Sequence, residues 1–116
     1  MSIQELLAWQ WSGYERYHAS RANLILHIIV VPLFLLGNLG LLAGLVQVSW
    51  PLAAIGLASM VVSVVLQGRG HSAEKVPPEP FTSKANAVSR ILLEQWVTFP
   101  RFVASGGWLR ALRNAP

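Results

Sequence analysis

Between Ala22 and Gly68 the chain runs for 47 residues without a single Lys, Arg, Asp or Glu. A 116-residue chain has room for one domain. In water such a block would need covering on nearly all sides, and the rest of the chain is too short to do it. Hydrophobic residues make up 53% of the whole and charged residues 12%, against about 25% charged in an ordinary soluble domain. The block divides in two. Residues 24–46 are continuously apolar, and as a helix their length of about 34 Å exceeds a bilayer core of about 30 Å. Residues 50–66 fall at the short end of the spanning range. Only Gln47, Val48 and Ser49 separate the two runs, and Pro51 suits the first turn of a new helix. The expectation is an all-α small membrane protein, a transmembrane helical hairpin (22–46 and 50–67) flanked by amphipathic interfacial helices. Gly37, Gly40 and Gly44 on one helix and Ala54 and Ala58 on the other allow close contact in lipid.

The flanks carry all nine Lys and Arg. In 1–21, Ile3, Leu6, Leu7, Trp11 and Tyr14 recur at helical spacing, and Trp9, Trp11, Tyr14 and Tyr17 are residues of a membrane interface. After the hairpin, Gly68-Arg69-Gly70 is expected to end the second helix, and Pro77, Pro78 and Pro80 to make 68–81 an extended loop. Thr82 or Ser83 caps a third helix over 82–99, with Val88, Ile91, Leu92 and Trp96 on one face and Pro100 as its stop. Residues 100–116 form a basic tail able to lie on the membrane surface. Arg16 and Arg21 precede the hairpin, Arg69 and Lys75 follow it, and its turn has no charge, which predicts an integral, multi-pass protein with both termini cytoplasmic. The net charge of +4 therefore flanks an apolar block instead of forming a stripe, which argues against nucleic acid as partner.

The chain contains no Cys and no Asp. That excludes disulfides, thiolate chemistry, a Ser-His-Asp triad and a calcium loop. His18, His27 and His71 remain, with five Glu. A hairpin turning at Val48 collects all three histidines at one end, with His27 inside the apolar run, where a polar residue is a functional candidate. Asn23 and His27, four apart, share a helix face. His18 and His27, nine apart, fall on opposite sides of a continuous helix, so their convergence requires a break or bend around 19–22. Three imidazoles, or two and a carboxylate, leave open positions on divalent iron or zinc. Glu74, three residues beyond His71, is a candidate ligand, supporting partner or base, and equally an ordinary solvated glutamate. Arg69 and Lys75 are candidates for holding an acidic lipid headgroup, and equally ordinary interfacial charges.

Tyr17-His18, Asn23, His27 and Pro32, then Gln67-Gly68, Gly70-His71, Glu74 and Pro78, and later Leu93-Glu94 with Phe99-Pro100, resemble the 2-hydroxy fatty acid dioxygenase family, named for metabolism of phytosphingosine to odd-numbered fatty acids. The resemblance covers roughly residues 9–105. It implies an Fe(2+)-dependent dioxygenase that removes one carbon from a 2-hydroxy fatty acid without 2-oxoglutarate. His18, His27 and His71 then stand at the family's iron-ligand positions, Glu74 and Asn23 are the catalytic candidates, and Arg69 or Arg21 would neutralise the substrate carboxylate. The implied partners are a 2-hydroxy fatty acid or related lipid, the bilayer and a second copy in a homodimer. Two rival readings stand beside it: a noncatalytic lipid-binding or scaffolding membrane module, and a Zn(2+)-dependent lipid hydrolase.

Overall fold

Serine side chains open three of the helices. Ser2 and Glu5 form a reciprocal capping box, Ser20 accepts from the Asn23 amide, and Ser83 accepts from the Asn86 amide at 3.0 Å. Such caps satisfy amides that have no partner inside the helix. The computed structural model describes all 116 residues, and every regular element is helical: α1 (Ile3–Tyr17), α2 (Arg21–Val46), α3 (Trp50–His71), α4 (Lys84–Leu93), a π-helical turn (Glu94–Thr98), α5 (Phe99–Ala104) and α6 (Gly107–Asn114).

α2 and α3 form an antiparallel hairpin. Gly44 lies against Ala53, Gly37 and Gly40 against Gly56, and Ser63 donates to the Val30 carbonyl. A methyl group at Gly56 would run into the backbone of Leu41, Gly37 and Gly40, so this crossing exists only because side chains are missing there. Both helices are long and apolar enough to cross a membrane, and their most apolar stretches are only 28% and 22% buried by the rest of the chain. Leu36, Leu39, Leu42, Ile55 and Val61 all face outward.

The remaining helices gather where α2 begins and α3 ends. Tyr14 of α1, Leu24 and Val31 of α2, and Phe99 and Phe102 of α5 form the buried apolar cluster, with Trp108 and Leu112 of α6 against it. Trp108 donates its indole N–H to the Leu24 carbonyl at 2.8 Å. Residues 100–116 are therefore not a surface tail but two helices docked on the hairpin.

Three boundaries differ from the sequence reading. α1 stops at Tyr17, and His18 to Ser20 form the break that the histidine spacing demands. α3 runs on through Gly68, Arg69 and Gly70 to His71, so the segment expected to loop from 68 begins instead at Ser72. Gly70 stays helical because its missing side chain admits Asn23 of α2. The third helix does not stop at Pro100. The π-turn bonds the Phe99 amide back to the Glu94 carbonyl, and Pro100 then sits in the first turn of α5, where its absent N–H leaves no bond unmade.

Candidate metal centre

The break after α1 turns His18 inward. Its Nδ1 lies 2.9 Å from the Tyr14 carbonyl. A carbonyl only accepts, so this nitrogen carries the proton and Nε2 presents a free lone pair. His27 repeats the device one turn into α2, with Nδ1 at 3.0 Å from the Asn23 carbonyl. His71 comes from the last residue of α3. The three ring centroids lie 4.8 to 5.1 Å apart, and the ring planes meet at 80 to 88°. The rings therefore meet edge to face and do not stack.

Glu94 completes the group. One ligand atom from each of His18, His27, His71 and Glu94 lies within 4.8 Å of every other. Ligands about 2.0–2.2 Å from one ion are at most about 4.4 Å apart, so a small contraction closes the set on a cation. His18 Nε2, His27 Nε2 and His71 Nδ1 are buried and have no hydrogen-bond partner. Three buried imidazole nitrogens without partners, gathered this closely, are unfavourable unless a ligand satisfies them. His18 and Glu94 approach to 3.3 Å. Burial pushes the Glu94 carboxyl up, but the His18 ring beside it when protonated, the positive charge of His27 and the donating Tyr14 hydroxyl outweigh burial and hold the group at about 2. The cluster could hold a metal ion, and three imidazoles with one carboxylate suit divalent iron or zinc.

The surroundings fix these side chains. The Tyr14 ring stacks on His18 at 3.8 Å, and its hydroxyl donates to Glu94 at 2.8 Å. Burial, and then the Glu94 charge, push the Tyr14 phenol well above its ordinary value, so it stays a donor. Gln95, next to Glu94, is locked to Gln67 by two reciprocal amide bonds of 2.8 Å, and Gln67 also donates to Ser63.

Glu74 lies outside the cluster. Its carboxylate accepts from the Ala19 and Ser20 amides at 3.0 Å and from the Asn23 side chain at 2.7 Å. It straps the segment after α3 to the break between His18 and His27. Asn23 is fully buried, and it orients His27 through its carbonyl and holds Glu74 through its amide. Arg21 and Arg69 are both exposed and join no cluster, and Arg21 donates instead to the Leu112 carbonyl of α6.

Sequence reasoning gave Glu94 no role, because it lies 67 residues beyond His27 and reaches the site only when α4 folds back on the hairpin. A signal was available: Glu94 is one of only five carboxylate side chains in a chain without Asp, and so one of few able to accompany three histidines. Comparison with known proteins gives no matching family model, no matching curated protein and no matching solved structure.

Proposed function

We propose that the chain is a membrane-spanning, metal-dependent oxygenase acting on 2-hydroxy fatty acids. The observation that carries the reading is the set of three buried, unpartnered histidine nitrogens facing Glu94 at one end of an apolar hairpin. α2 and α3 cross the bilayer, and the basic flanks place both termini, and the centre with them, on the cytoplasmic side. The low burial of both helices supports this placement over a soluble core, where such helices would be covered.

His18, His27, His71 and Glu94 would hold Fe(2+), which when bound supplies redox chemistry with dioxygen and open positions for an oxygen-rich headgroup. The protein's share is positional. Tyr14 and the Asn23 carbonyl fix the ring tautomers and the carboxylate, and Glu74 keeps the α1–α2 break from opening. Burial of His27 keeps water from that side of the centre, and an acyl chain reaches it from the lipid without crossing water. In the proposed reaction carbon 1 leaves as carbon dioxide and carbon 2 becomes the new carboxyl. One dioxygen is consumed and water is the other product, so the atoms balance without a second organic reductant.

The test is elemental analysis of protein purified anaerobically in detergent, beside His27→Ala. Near-stoichiometric iron in the wild type, lost in the variant, and formation of the acid shortened by one carbon are the expected results. Zinc without dioxygen dependence would point to hydrolysis. No metal in well-folded protein would sink the centre and leave a noncatalytic lipid-binding module.

A further inference from the structure

A cavity of about 340 Å³ adjoins the cluster, with His18, His71 and Glu94 in its wall. It lies between α1, the second half of α3, the proline segment at 78–81 and the end of α4. Two arginines line it, and they differ in kind. Arg90 is fully engaged: it donates to the Glu79 and Pro80 carbonyls at 2.8 and 3.1 Å and lies over the rings of Trp9 and Phe81. It pins the proline segment in place. Arg16, exposed on α1, lies over the Tyr17 ring and donates to its hydroxyl at 3.2 Å, and it has no carboxylate within ion-pair distance. It is the cavity's arginine with neither a carboxylate nor a backbone carbonyl as partner.

The opposite wall offers room. A side chain added at Gly68 would meet nothing within 4 Å, although Gly68 lines the cavity. Val64, one turn earlier on α3, continues that wall, and Val61 beyond it faces outward with the lipid-side surface of the hairpin. A path therefore runs from the cluster along α3 into the apolar exterior. Arg16 and Arg90 balance Glu79 and Glu94, so a divalent ion at the cluster leaves the cavity with excess positive charge that a carboxylate offsets.

We propose that this cavity is the substrate chamber of the centre, taking a single-chain monocarboxylate whose head is drawn in and neutralised by Arg16 while its chain leaves along Gly68 and Val64. The assignment rests on the reading of the cluster as a centre acting on an acyl substrate, and it replaces Arg21 and Arg69, which do not line the cavity, as carboxylate partners. Arg16 is a binding residue, two positions before the His18 ligand, so its effect appears in affinity for the acid.

The experiment is equilibrium dialysis of radiolabelled 2-hydroxyoctanoate against zinc-loaded protein in nanodiscs, with empty nanodiscs as blank and octane-1,2-diol as neutral probe. Arg16→Gln should weaken the acid about tenfold, the loss expected for one charge-assisted contact, and leave the diol unchanged. Gly68→Trp should abolish binding of both, and Gly68→Leu should weaken both, with helix content and zinc content as in the wild type. Arg69→Gln should bind as the wild type. The proposal is overturned if Gly68→Trp, folded and loaded, binds normally, or if Arg16→Gln weakens acid and diol equally. The metal reading fails separately: a wild type that takes up no zinc or iron sinks the centre, while acid binding sensitive to Arg16 and Gly68 in that same protein keeps the chamber.

Discussion

Replacing Gln95 by Leu tests whether a buried amide pair sets the position of Glu94. The change removes both 2.8 Å bonds between Gln95 and Gln67 and leaves the Gln67 side-chain oxygen without a partner, while its nitrogen keeps Ser63. A neutral hydrogen bond contributes about 0.5–1.5 kcal/mol net, and a buried polar atom left alone costs about 1–3 kcal/mol. Interhelical bonds in membrane proteins average near the low end, about 0.6 kcal/mol. The single variant should therefore lose about 2–4 kcal/mol. Gln67→Leu should lose a similar amount by orphaning Gln95, which is 1% exposed. The double variant removes both partners and leaves Ser63 bonded to Val30, so it should cost no more than about 1 kcal/mol. The order of stabilities is the diagnostic: the double variant exceeds either single one. Unfolding by SDS titration from a mild detergent, followed by helical circular dichroism, measures it as a double-mutant cycle. Because the π-turn begins at Glu94, metal affinity should fall about tenfold in both single variants, the size seen when a ligand loses its support. Additivity of the two substitutions within about 0.5 kcal/mol would refute the reasoning.

Glu74→Gln keeps the shape of the strap but removes the charge that accepts three hydrogen bonds. It should lower stability by about 1–3 kcal/mol and weaken metal binding about tenfold, read by thermal unfolding and by competition with a chelator. One substitution type should have opposite signs at two glycines. Gly56→Ala forces a methyl into backbone and should cost about 1–3 kcal/mol, whereas Gly68→Ala has open space and should gain about 0.5–1 kcal/mol of helix preference. Metal loading should fall as pH drops below about 7, because protons compete with the cation for the imidazole nitrogens. Glu94, held at about 2, stays ionised well below that pH, so metal content after dialysis at falling pH reports the histidines. Loading that persisted to pH about 3 would contradict an imidazole site.

Much of the site could be read from residue order alone. Two apolar runs joined by three residues can only lie antiparallel, and that brings the start of the first and the end of the second to one level. His27 and His71 meet for this reason. The need for a break near 19–22 also follows from spacing, since nine residues on a straight helix set His18 half a turn away from His27. Glu94 and the cavity could not be read this way. They depend on how α4 to α6 dock, and no pattern within the chain states which face of a short amphipathic helix meets which side of a hairpin. Glu74 and Asn23, expected as catalytic candidates, have backbone amides and each other as partners, which only the folded break brings within reach.

The helical hairpin follows from composition, because a long run without charge leaves no other way to bury or solvate it, and the gathering of His18, His27 and His71 follows from their spacing around it. The tertiary structure decided the fourth ligand, the π-turn that carries α5 through Pro100, and which arginine faces the cavity. These depend on contacts between residues 60 to 90 positions apart, as in Tyr14 with Glu94 and Leu24 with Trp108. Local propensity is blind at that range, and packing of the fully folded chain selects among partners that the sequence leaves equivalent.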